Sequence, residues 1–340
     1  HKGLQNRAGE NNCFLNVTVQ ALWHLDSFRA AVRGMEATAD VREISIDDMI
    51  TIVNSLFAQY EYYEGSAVPP TELRKRLTSM DPERYSLGGL ADATEALYSI
   101  LSQIHIDSCR HATLPGGVVT ENDECTPSCL AHSIFGGVFV EQFSCSACRA
   151  TSEPQVMKRL LHYIYADEVG SIFDAAPSRP SFSSVLSYCL RPVAHECPSR
   201  ASTQRCQGEG KASLSCLEPP RVLAFCISWA EERASLDKLS LFIRSIDIEL
   251  SVSDVFPYGD FVDDRFHGRA THELCGLVCF YGMHYICFFR DSSSSSAFLL
   301  FDDARVRVVG SWGDVKEDCL RSRYQPVLLL YQLSQVPSPQ

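Results

Sequence analysis

Residue types that carry out nucleophilic catalysis occur at opposite ends of this 340-residue chain. Cys13 follows Asn11 and Asn12, which are favoured N-cap residues, so the sequence predicts Cys13 in the first turn of a helix. Unpaired N–H groups and the positive end of the helix dipole stabilise a thiolate at that place. His284 and Asp302 lie in two aromatic-rich runs near the other end. The order Cys, His, Asp is typical of papain-type nucleophilic catalysis.

One helix and two strands must position these residues. Apolar side chains over 14–23 follow the spacing of one helix face. The runs around His284 and Asp302 are rich in aromatic and β-branched residues, which predicts neighbouring strands joined by the polar loop 290–296. Successive side chains of a strand point to opposite faces, so we expect only one of the adjacent acids Asp302 and Asp303 to address His284 and the other to face away.

The remaining chain changes character once. Its first third predicts helices, with starts near Ser45 and Pro70. Short strands with turns follow from about Pro115, and beyond Cys206 strand follows strand, including an alternating run over 246–252. Helices and strands are thus segregated along the chain, which favours an α+β fold with an antiparallel sheet. The basic cluster within 71–80 is interpreted as a solvated helix face.

Two pairs of cysteines have the chemistry of a structural zinc site. Cys145 and Cys148 form a C-x-x-C turn, and about 50 residues later Cys197 and Cys206 follow, separated by eight residues. Four thiolates suit tetrahedral zinc, which stabilises a region with little core of its own. The second pair is spaced more widely than in a zinc ribbon. The alternative ligands are Cys216 and His195.

A further group with ligand chemistry is Cys125, Cys129 and His132. These three residues have no obvious fourth partner in the sequence, although Cys109 or His111 could supply one. We therefore expect one zinc ion and do not predict a second.

Composition and net charge limit the classes of function that the chain can have. The net charge of −12 argues against a nucleic-acid binder or an anionic-membrane binder and suits a basic partner surface. The 15 cysteines, an odd number in a long chain, indicate reduced thiols and therefore a cytoplasmic or nuclear protein. No apolar run approaches the roughly 20 residues of a membrane span. The chain begins with His1, which we interpret as the start of a fragment.

The run GLQNRAGENNCFLNVTVQALW, residues 3–23, resembles the cysteine box of the ubiquitin-specific proteases, G-L-x-N…C-[FY]-[LM]-N-x-x-x-Q-x-L. Residues 284–303 resemble the family's histidine box, and this resemblance implies Asp302, the first residue after Phe301, as the acid that orients His284. The resemblance extends from Gly3 to about Tyr331 and is strongest to a divergent plant and animal branch with a lengthened cysteine box. It implies Asn6 as the side chain that stabilises the oxyanion. Asn11 is the alternative, because the lengthened box blurs the alignment.

The same resemblance implies a papain-like fold in three parts. These are a helical thumb over 1–114, zinc-stapled β fingers over 115–217 and a β palm over 218–331, followed by a tail over 332–340. It favours Cys197 and Cys206 as the second pair of zinc ligands.

It also implies contacts with the ubiquitin tail through Asp92 and Glu95, where Leu90 and Ala91 replace the family's usual glutamines. Gly282 would suit a wall close to that tail. The implied function is a thiol-dependent deubiquitinase that acts on ubiquitin and ubiquitinated proteins. A catalytically inactive ubiquitin-binding scaffold with the same fold is the alternative.

Overall fold

The structure, a computed structural model, describes residues 1–37, 45–112, 125, 128–192, 197, 206, 208, 210–257, 270–291 and 297–335. The serine run 292–296, the end of the tail over 336–340 and His195 lie outside the described residues. No helix in the described ranges is long and apolar enough to cross a membrane.

The helices and strands are named in chain order. The helices are α1 Cys13–His24, α2 Asp26–Ala37, α3 Met49–Tyr62, α4 Thr71–Met80, α5 Ala93–Ala112, α6 Leu130–Phe135, α7 Ala166–Ala175, α8 Phe182–Cys189, α9 Leu236–Ser245, α10 Val252–Val255 and α11 Trp312–Ser322. The strands are β1 Gly3–Leu4, β2 Ala67–Val68, β3 Gly137–Cys145, β4 Gln155–Arg159, β5 His162–Tyr165, β6 Gly210–Glu218, β7 Val222–Ser228, β8 Glu249–Ser251, β9 Thr271–Tyr281, β10 His284–Arg290, β11 Phe298–Asp302, β12 Arg305–Gly310 and β13 Gln325–Gln335.

The chain divides into two compact units. The first unit comprises His1–Ile134, Arg233–Leu239 and Cys275–Leu330, and the second comprises Phe135–Glu232, Ser240–Leu274 and Tyr331–Gln340. Strands β9 and β13 each have residues in both units.

Helix α1 forms the centre of the first unit and packs against α5 and β10. Its residues from Cys13 to Leu22 are all buried, so α1 has no solvated face and is not the amphipathic helix that its apolar spacing predicts. Its polar side chains are hydrogen-bonded instead. Thr18 donates to the Ala93 carbonyl and Gln20 donates to the Lys2 carbonyl. These bonds fix α1 between the start of α5 and the first residues of the chain.

Four strands pair antiparallel in the order β12-β11-β10-β9. Cys287 of β10 lies opposite Phe301 of β11, and His284 lies opposite Tyr281 of β9. The predicted neighbouring strands for His284 and Asp302 are confirmed. Because the two strands are antiparallel, the beginning of β10 and the end of β11 lie at the same end of the strand pair.

The second unit contains a three-stranded antiparallel sheet in the order β4-β3-β6. Cys145 at the end of β3 lies opposite Gly210 at the start of β6. Strands β5 and β7 of the same unit pair in parallel. The α+β class is confirmed, and the predicted antiparallel pairing is wrong for β5 with β7 and for β1 with β2, which pair in parallel.

The region beyond Cys206 is also more helical than predicted. The alternating run 246–252 forms only the three-residue strand β8 before α10 begins at Val252. Ile246, Leu250 and Val252 of this run are buried, and Ile248 is partly exposed. Burial of a short connecting segment produces the same alternation as a strand, so periodicity over so few residues does not separate the two.

Candidate active site

Cys13 is the first residue of α1, and Asn12 is its N-cap, as the sequence predicts. The Asn12 side chain makes no capping hydrogen bond and donates instead to Glu10 at 3.1 Å. The first turn of α1 therefore has no side-chain cap from Asn12 beside the sulfur. Cys13 is 3% exposed. A buried sulfur at a helix N-terminus lies where the dipole favours negative charge.

His284 begins β10 directly after a two-residue turn made by Gly282 and Met283. Both turn residues have positive φ, 53° and 70°, which is the backbone that a tight hairpin of this kind requires. A Cβ at Gly282 would meet nothing within 4 Å, so its backbone conformation accounts for the glycine. The wall beside a substrate tail that the sequence predicts at Gly282 stays a prediction.

The imidazole of His284 interacts with both of its expected partners. Its Nε2 lies 2.7 Å from Oδ1 of Asp302. The hydrogen bond to Asp302, followed by that to Cys13, raises the pKa of His284 to about 10 against the opposing effect of burial. The same bond lowers the pKa of Asp302. Cys13, His284 and Asp302 are therefore brought together, and both partners of the imidazole favour its protonated form.

Asp303 does not face away from His284, and the strand argument was wrong on this point. Its φ of 51° places it in a left-handed turn between β11, which ends at Asp302, and β12, which begins at Arg305. Ligand atoms of His284, Asp302 and Asp303 lie within 4.8 Å of one another. Side chains alternate between the two faces only within a strand, and Asp303 lies beyond the end of β11.

The carboxylate of Asp303 accepts two amide hydrogen bonds. Asn6 Nδ2 donates to Oδ2 at 2.8 Å, and Asn16 Nδ2 donates to Oδ1 at 2.7 Å. Asn6 Oδ1 accepts from the Asn12 backbone N–H at 2.9 Å. The Asn6 side chain is thus fixed between Asp303 and the residue that precedes Cys13. The sequence analysis gave no role to Asn16, although its position three residues after Cys13 places it in the same helical turn.

The backbone at Gly3 and Leu4 lies close to the backbone of Asp303 and holds these side chains in place. The Leu4 N–H donates to the Asp303 carbonyl at 2.9 Å. A Cβ on Gly3 would lie 2.4 Å from that same carbonyl oxygen, so only glycine fits. Asn11, the alternative to Asn6, has its side-chain amide on the Gly88 carbonyl at 2.8 Å. Of the two, Asn6 is the one tied to Asp303.

The two acids at the start of α5 have partners within the chain. Asp92 Oδ1 accepts from the backbone N–H groups of Thr94 and Glu95, which makes Asp92 the cap of this helix. Its Oδ2 accepts from the Tyr285 hydroxyl at 3.0 Å. Exposed Glu95 forms an ion pair with Arg84 at 3.5 Å. Asp92 therefore links α5 to the residue that follows His284, an internal role that its sequence position does not reveal.

Arg74 is a residue of this region that the sequence analysis misjudged. It belongs to the basic cluster interpreted as solvated, yet it is 3% exposed. Its guanidinium donates to the carbonyls of Ser86 and Gly89 and lies 4.7 Å from the ring centroid of Phe14. Burial lowers the pKa of Arg74, and a Cys13 thiolate opposes that change. A buried cation thus lies in the electrostatic range of Cys13.

A second cluster lies in the second unit. The sulfur atoms of Cys145, Cys148, Cys197 and Cys206 all lie within 4.8 Å of one another. Cys145 and Cys206 are 3.7 Å apart, and Cys148 and Cys197 are 3.5 Å apart. Four thiolates at about 2.3 Å from a tetrahedral zinc ion are separated by about 3.8 Å. The predicted set of four could hold a metal ion.

Backbone N–H groups favour the thiolate form of Cys145 in this cluster. The N–H groups of Cys148 and Ala147 lower the pKa of the Cys145 thiol to about 6. A Cβ at Gly208 would lie 2.8 Å from the Cys145 sulfur, so this glycine leaves space for the thiolates. Cys216, the described alternative ligand, lies on β6 and does not belong to the cluster.

Comparisons with known proteins give a consistent family assignment. The sequence model of the family "Ubiquitin carboxyl-terminal hydrolase" matches residues 2–331. The chain is 30% identical to Ubiquitin carboxyl-terminal hydrolase 54 of Rattus norvegicus over 344 residues, which cover 97% of this chain and 20% of the rat protein. It is 28% identical to Ubiquitin carboxyl-terminal hydrolase 53 of Homo sapiens, over 97% of this chain and 30% of that protein. The chain thus spans less than a third of the length of these relatives.

Solved structures agree in fold. The SAGA Ubp8 module bound to monoubiquitin has a TM-score of 0.69 and 17% identity, covering 99% of this chain and 70% of that chain. The same module bound to ubiquitin aldehyde has a TM-score of 0.66 and 19% identity, again over 99% and 70% of the two chains. With the family match over 2–331, the conclusion is that this chain belongs to the ubiquitin carboxyl-terminal hydrolase family, as a catalytic domain of the ubiquitin-specific protease type.

Proposed function

We propose that this chain is a deubiquitinating cysteine protease that hydrolyses the isopeptide bond after the C-terminal glycine of ubiquitin, in conjugates or in chains. The observation that carries the proposal is the imidazole of His284, which interacts with the Asp302 carboxylate and with the Cys13 thiol at the start of α1. Family membership supports the substrate class.

His284 acts as the general base and then the general acid. It takes the proton of Cys13, which gives a thiolate and an imidazolium, and the thiolate attacks the carbonyl carbon of the isopeptide bond. The imidazolium then donates its proton to the leaving lysine amine. Asp302 accepts the other ring N–H, at 2.7 Å, and so fixes the tautomer and stabilises the positive ring. Water hydrolyses the resulting thioester with His284 again as base.

Asn6 is the proposed side-chain donor to the oxyanion, together with the backbone N–H of Cys13. The bond from its Nδ2 to Asp303 fixes the direction of the amide and leaves its second N–H available for the oxyanion. The bond from the Asn12 N–H to Asn6 Oδ1 prevents the amide from turning over. Preorganised donors of this kind stabilise charge in the transition state without reorganisation.

For the ubiquitin tail we retain Asp92, Glu95 and Gly282 as the proposed contacts. The Asp92 carboxylate is held by the α5 backbone and by Tyr285, so it would present a rigid acceptor. Glu95 is exposed and would exchange its weak ion pair with Arg84 for a basic group of the tail. The turn at Gly282 lies directly before His284, which suits a wall of the cleft.

We propose zinc as the metal of the four-cysteine cluster, because four cysteine sulfur atoms within 4.8 Å of one another suit the four thiolate ligands that tetrahedral zinc prefers. When bound, zinc would supply structural stabilisation and no reaction step. Cys145 and Cys148 would hold it from the turn after β3, and Cys197 and Cys206 from the segment before β6.

The fifteen cysteines, all described and all free thiols, support a reducing compartment, the cytoplasm or the nucleus.

Labelling with ubiquitin that bears a C-terminal electrophile tests the proposal. We expect one adduct per chain, at Cys13, and complete loss of labelling in Cys13→Ala with an unchanged melting temperature. The matched control is Cys275→Ala. Burial raises the pKa of the Cys275 thiol to about 12, so this cysteine is protonated at neutral pH and its removal should leave labelling intact.

The rival function is a ubiquitin-binding scaffold without activity. Wild-type protein that binds ubiquitin in calorimetry but forms no adduct would establish the scaffold and refute the enzyme. Adduct formation at another cysteine would refute the assignment of Cys13.

A further inference from the structure

A second group of metal-ligand side chains lies in the first unit, separate from the four-cysteine cluster. It consists of His105, Cys125, Cys129 and His132, whose ligand atoms all lie within 4.8 Å of one another. His105 is 1% exposed and Cys129 is 6% exposed. We propose that these four residues form a structural metal site of the Cys₂His₂ type, which takes zinc.

The distances between the ligand atoms fit a tetrahedral ion. Nitrogen at about 2.0 Å and sulfur at about 2.3 Å from tetrahedral zinc are separated by about 3.6 Å. The His105 Nδ1 to Cys129 sulfur distance is 3.6 Å, and the His132 Nδ1 distances are 3.4 Å to Cys129 and 3.2 Å to Cys125. The rings of His105 and His132 are nearly perpendicular, at 85°, with centroids 4.6 Å apart. Two imidazoles that converge edge to face can direct both nitrogens at one point.

A backbone N–H group donates to the sulfur of each cysteine, while burial raises the pKa of the Cys129 thiol to about 12. The Cys129 N–H donates to the Cys125 sulfur at 3.2 Å, and the His132 N–H donates to the Cys129 sulfur at 3.5 Å. The cluster in the second unit has the same feature, because the Cys148 N–H donates to the Cys145 sulfur at 3.5 Å. Such bonds stabilise the charged form of a ligand that must be deprotonated to bind metal.

The fourth ligand is the residue that the sequence did not reveal. His105 lies 20 positions before Cys125, in the middle of α5, whereas Cys129 directly precedes α6 and His132 lies within it. Helix α5 brings His105 to α6, a contact that no local spacing indicates. Cys109, proposed earlier for this place, lies one turn further along α5 at 3.6 Å from His105 Nδ1 and is outside the group of four.

A metal here would join the middle of α5 to the start of α6 across the connection between them. His105 is buried and its ring nitrogens face the sulfur atoms of Cys129 and Cys109. A thiol is a weak hydrogen-bond partner, so a metal ion gives these buried nitrogens a much stronger one. The proposed role is to fix α6, a helix of only six residues, on the first unit.

The test is the zinc content of the full chain and the chemistry of its ligands. We expect about two zinc ions per chain by elemental analysis, one in each cluster. X-ray absorption at the zinc edge should then give an average of about three sulfur neighbours and one nitrogen neighbour, since six sulfurs and two nitrogens are shared by two ions. One zinc per chain with sulfur neighbours alone would overturn the proposal, and this measurement needs no variant.

Variants assign the two ions. His105→Ala and Cys129→Ala should each reduce zinc to about one ion per chain, with sulfur neighbours alone. Cys148→Ser should also retain about one, now with two nitrogen and two sulfur neighbours. Cys109→Ala, a buried cysteine beside the group, should keep both. Loss of zinc in Cys109→Ala with retention in Cys129→Ala would overturn the ligand set. None of these results depends on hydrolytic activity, so the proposal can fail independently of the proposed function.

Discussion

At the scale of single residues, two adjacent carboxylates have different partners. Asp302 lies 2.7 Å from His284 Nε2, whereas Asp303 accepts from the amides of Asn6 and Asn16. One carboxylate therefore orients the proposed base, and the other orients the proposed oxyanion donor. The left-handed backbone of Asp303, with φ of 51°, directs its carboxylate to different partners from those of Asp302.

The first prediction at this scale compares Asp302→Ala with Asp303→Ala. We expect turnover of a ubiquitin C-terminal fluorogenic substrate to fall by about 10³ for Asp302→Ala, less than the 10⁴ seen in serine triads because a thiol ionises more easily. Asp303→Ala should cost about 10–10², because Asn6 keeps its bond with the Asn12 N–H. A larger loss for Asp303→Ala, with both variants folded, would transfer the orienting role to Asp303.

The second prediction concerns pH. The hydrogen bonds to Asp302 and Cys13 raise the pKa of His284 to about 10, so the imidazolium that protonates the leaving amine persists until the pH rises through that value. The alkaline fall of kcat/KM should therefore lie near pH 10 in the wild type. Asp302→Ala removes the largest cause of the shift, so its alkaline limb should move to lower pH. The limb of Asp303→Ala should stay near that of the wild type. Equal limbs in all three proteins would contradict this assignment.

The sequence identified Cys13, His284 and Asp302 as candidates because their local motifs are strong. It could not identify Asn16, Arg74 or His105, since each acts through a partner that is distant in sequence. Asn16 reaches Asp303 across 287 positions, and His105 reaches Cys129 across 24. Such pairings depend on how the elements pack, and no local spacing encodes them.

At the scale of elements, the turn before His284 provides a prediction with a matched control. Gly282 and Gly34 both have open space where a Cβ would lie. Gly282 has φ of 53°, whereas Gly34 is inside α2. Gly282→Ala should therefore lower the free energy of unfolding by about 1 kcal/mol, and Gly34→Ala should raise it by about 0.5–1 kcal/mol. Urea unfolding measures both, and equal signs would contradict the assignment to backbone conformation.

Elements with a strong local signal were predictable, and elements that depend on packing were not. Helices α1 and α4 begin where N-cap residues or proline indicate, at Cys13 and Thr71. The apolar residues of the run 246–252 alternate and so predict a strand, but only Glu249–Ser251 form one, because α10 begins at Val252. The parallel pairing of β5 with β7 depends on contacts distant in sequence.

At the scale of the whole molecule, the proposed chemistry and the four-cysteine cluster belong to different units. Cys13, His284 and Asp302 lie in the first unit, and Cys145 to Cys206 lie in the second. The division into thumb, fingers and palm that the sequence resemblance implies stays a prediction beside this two-unit description. We therefore expect that loss of metal from the four-cysteine cluster can be measured separately from the reactivity of Cys13.

The last prediction uses this separation. Cys148→Ser removes one of the four thiolates of the cluster in the second unit, and loss of a structural metal removes folding free energy. We expect Cys148→Ser to melt at a lower temperature and to lose solubility. At a temperature where the variant is folded, alkylation of Cys13 by iodoacetamide should proceed at the wild-type rate, because its proposed catalytic partners His284 and Asp302 lie in the first unit. Cys189→Ser is the control, since Cys189 is a half-buried thiol of the same unit outside the cluster, and it should retain metal and melting temperature. An unchanged melting temperature in Cys148→Ser, or a Cys13 alkylation rate that falls with the metal content, would contradict the purely structural role of the cluster.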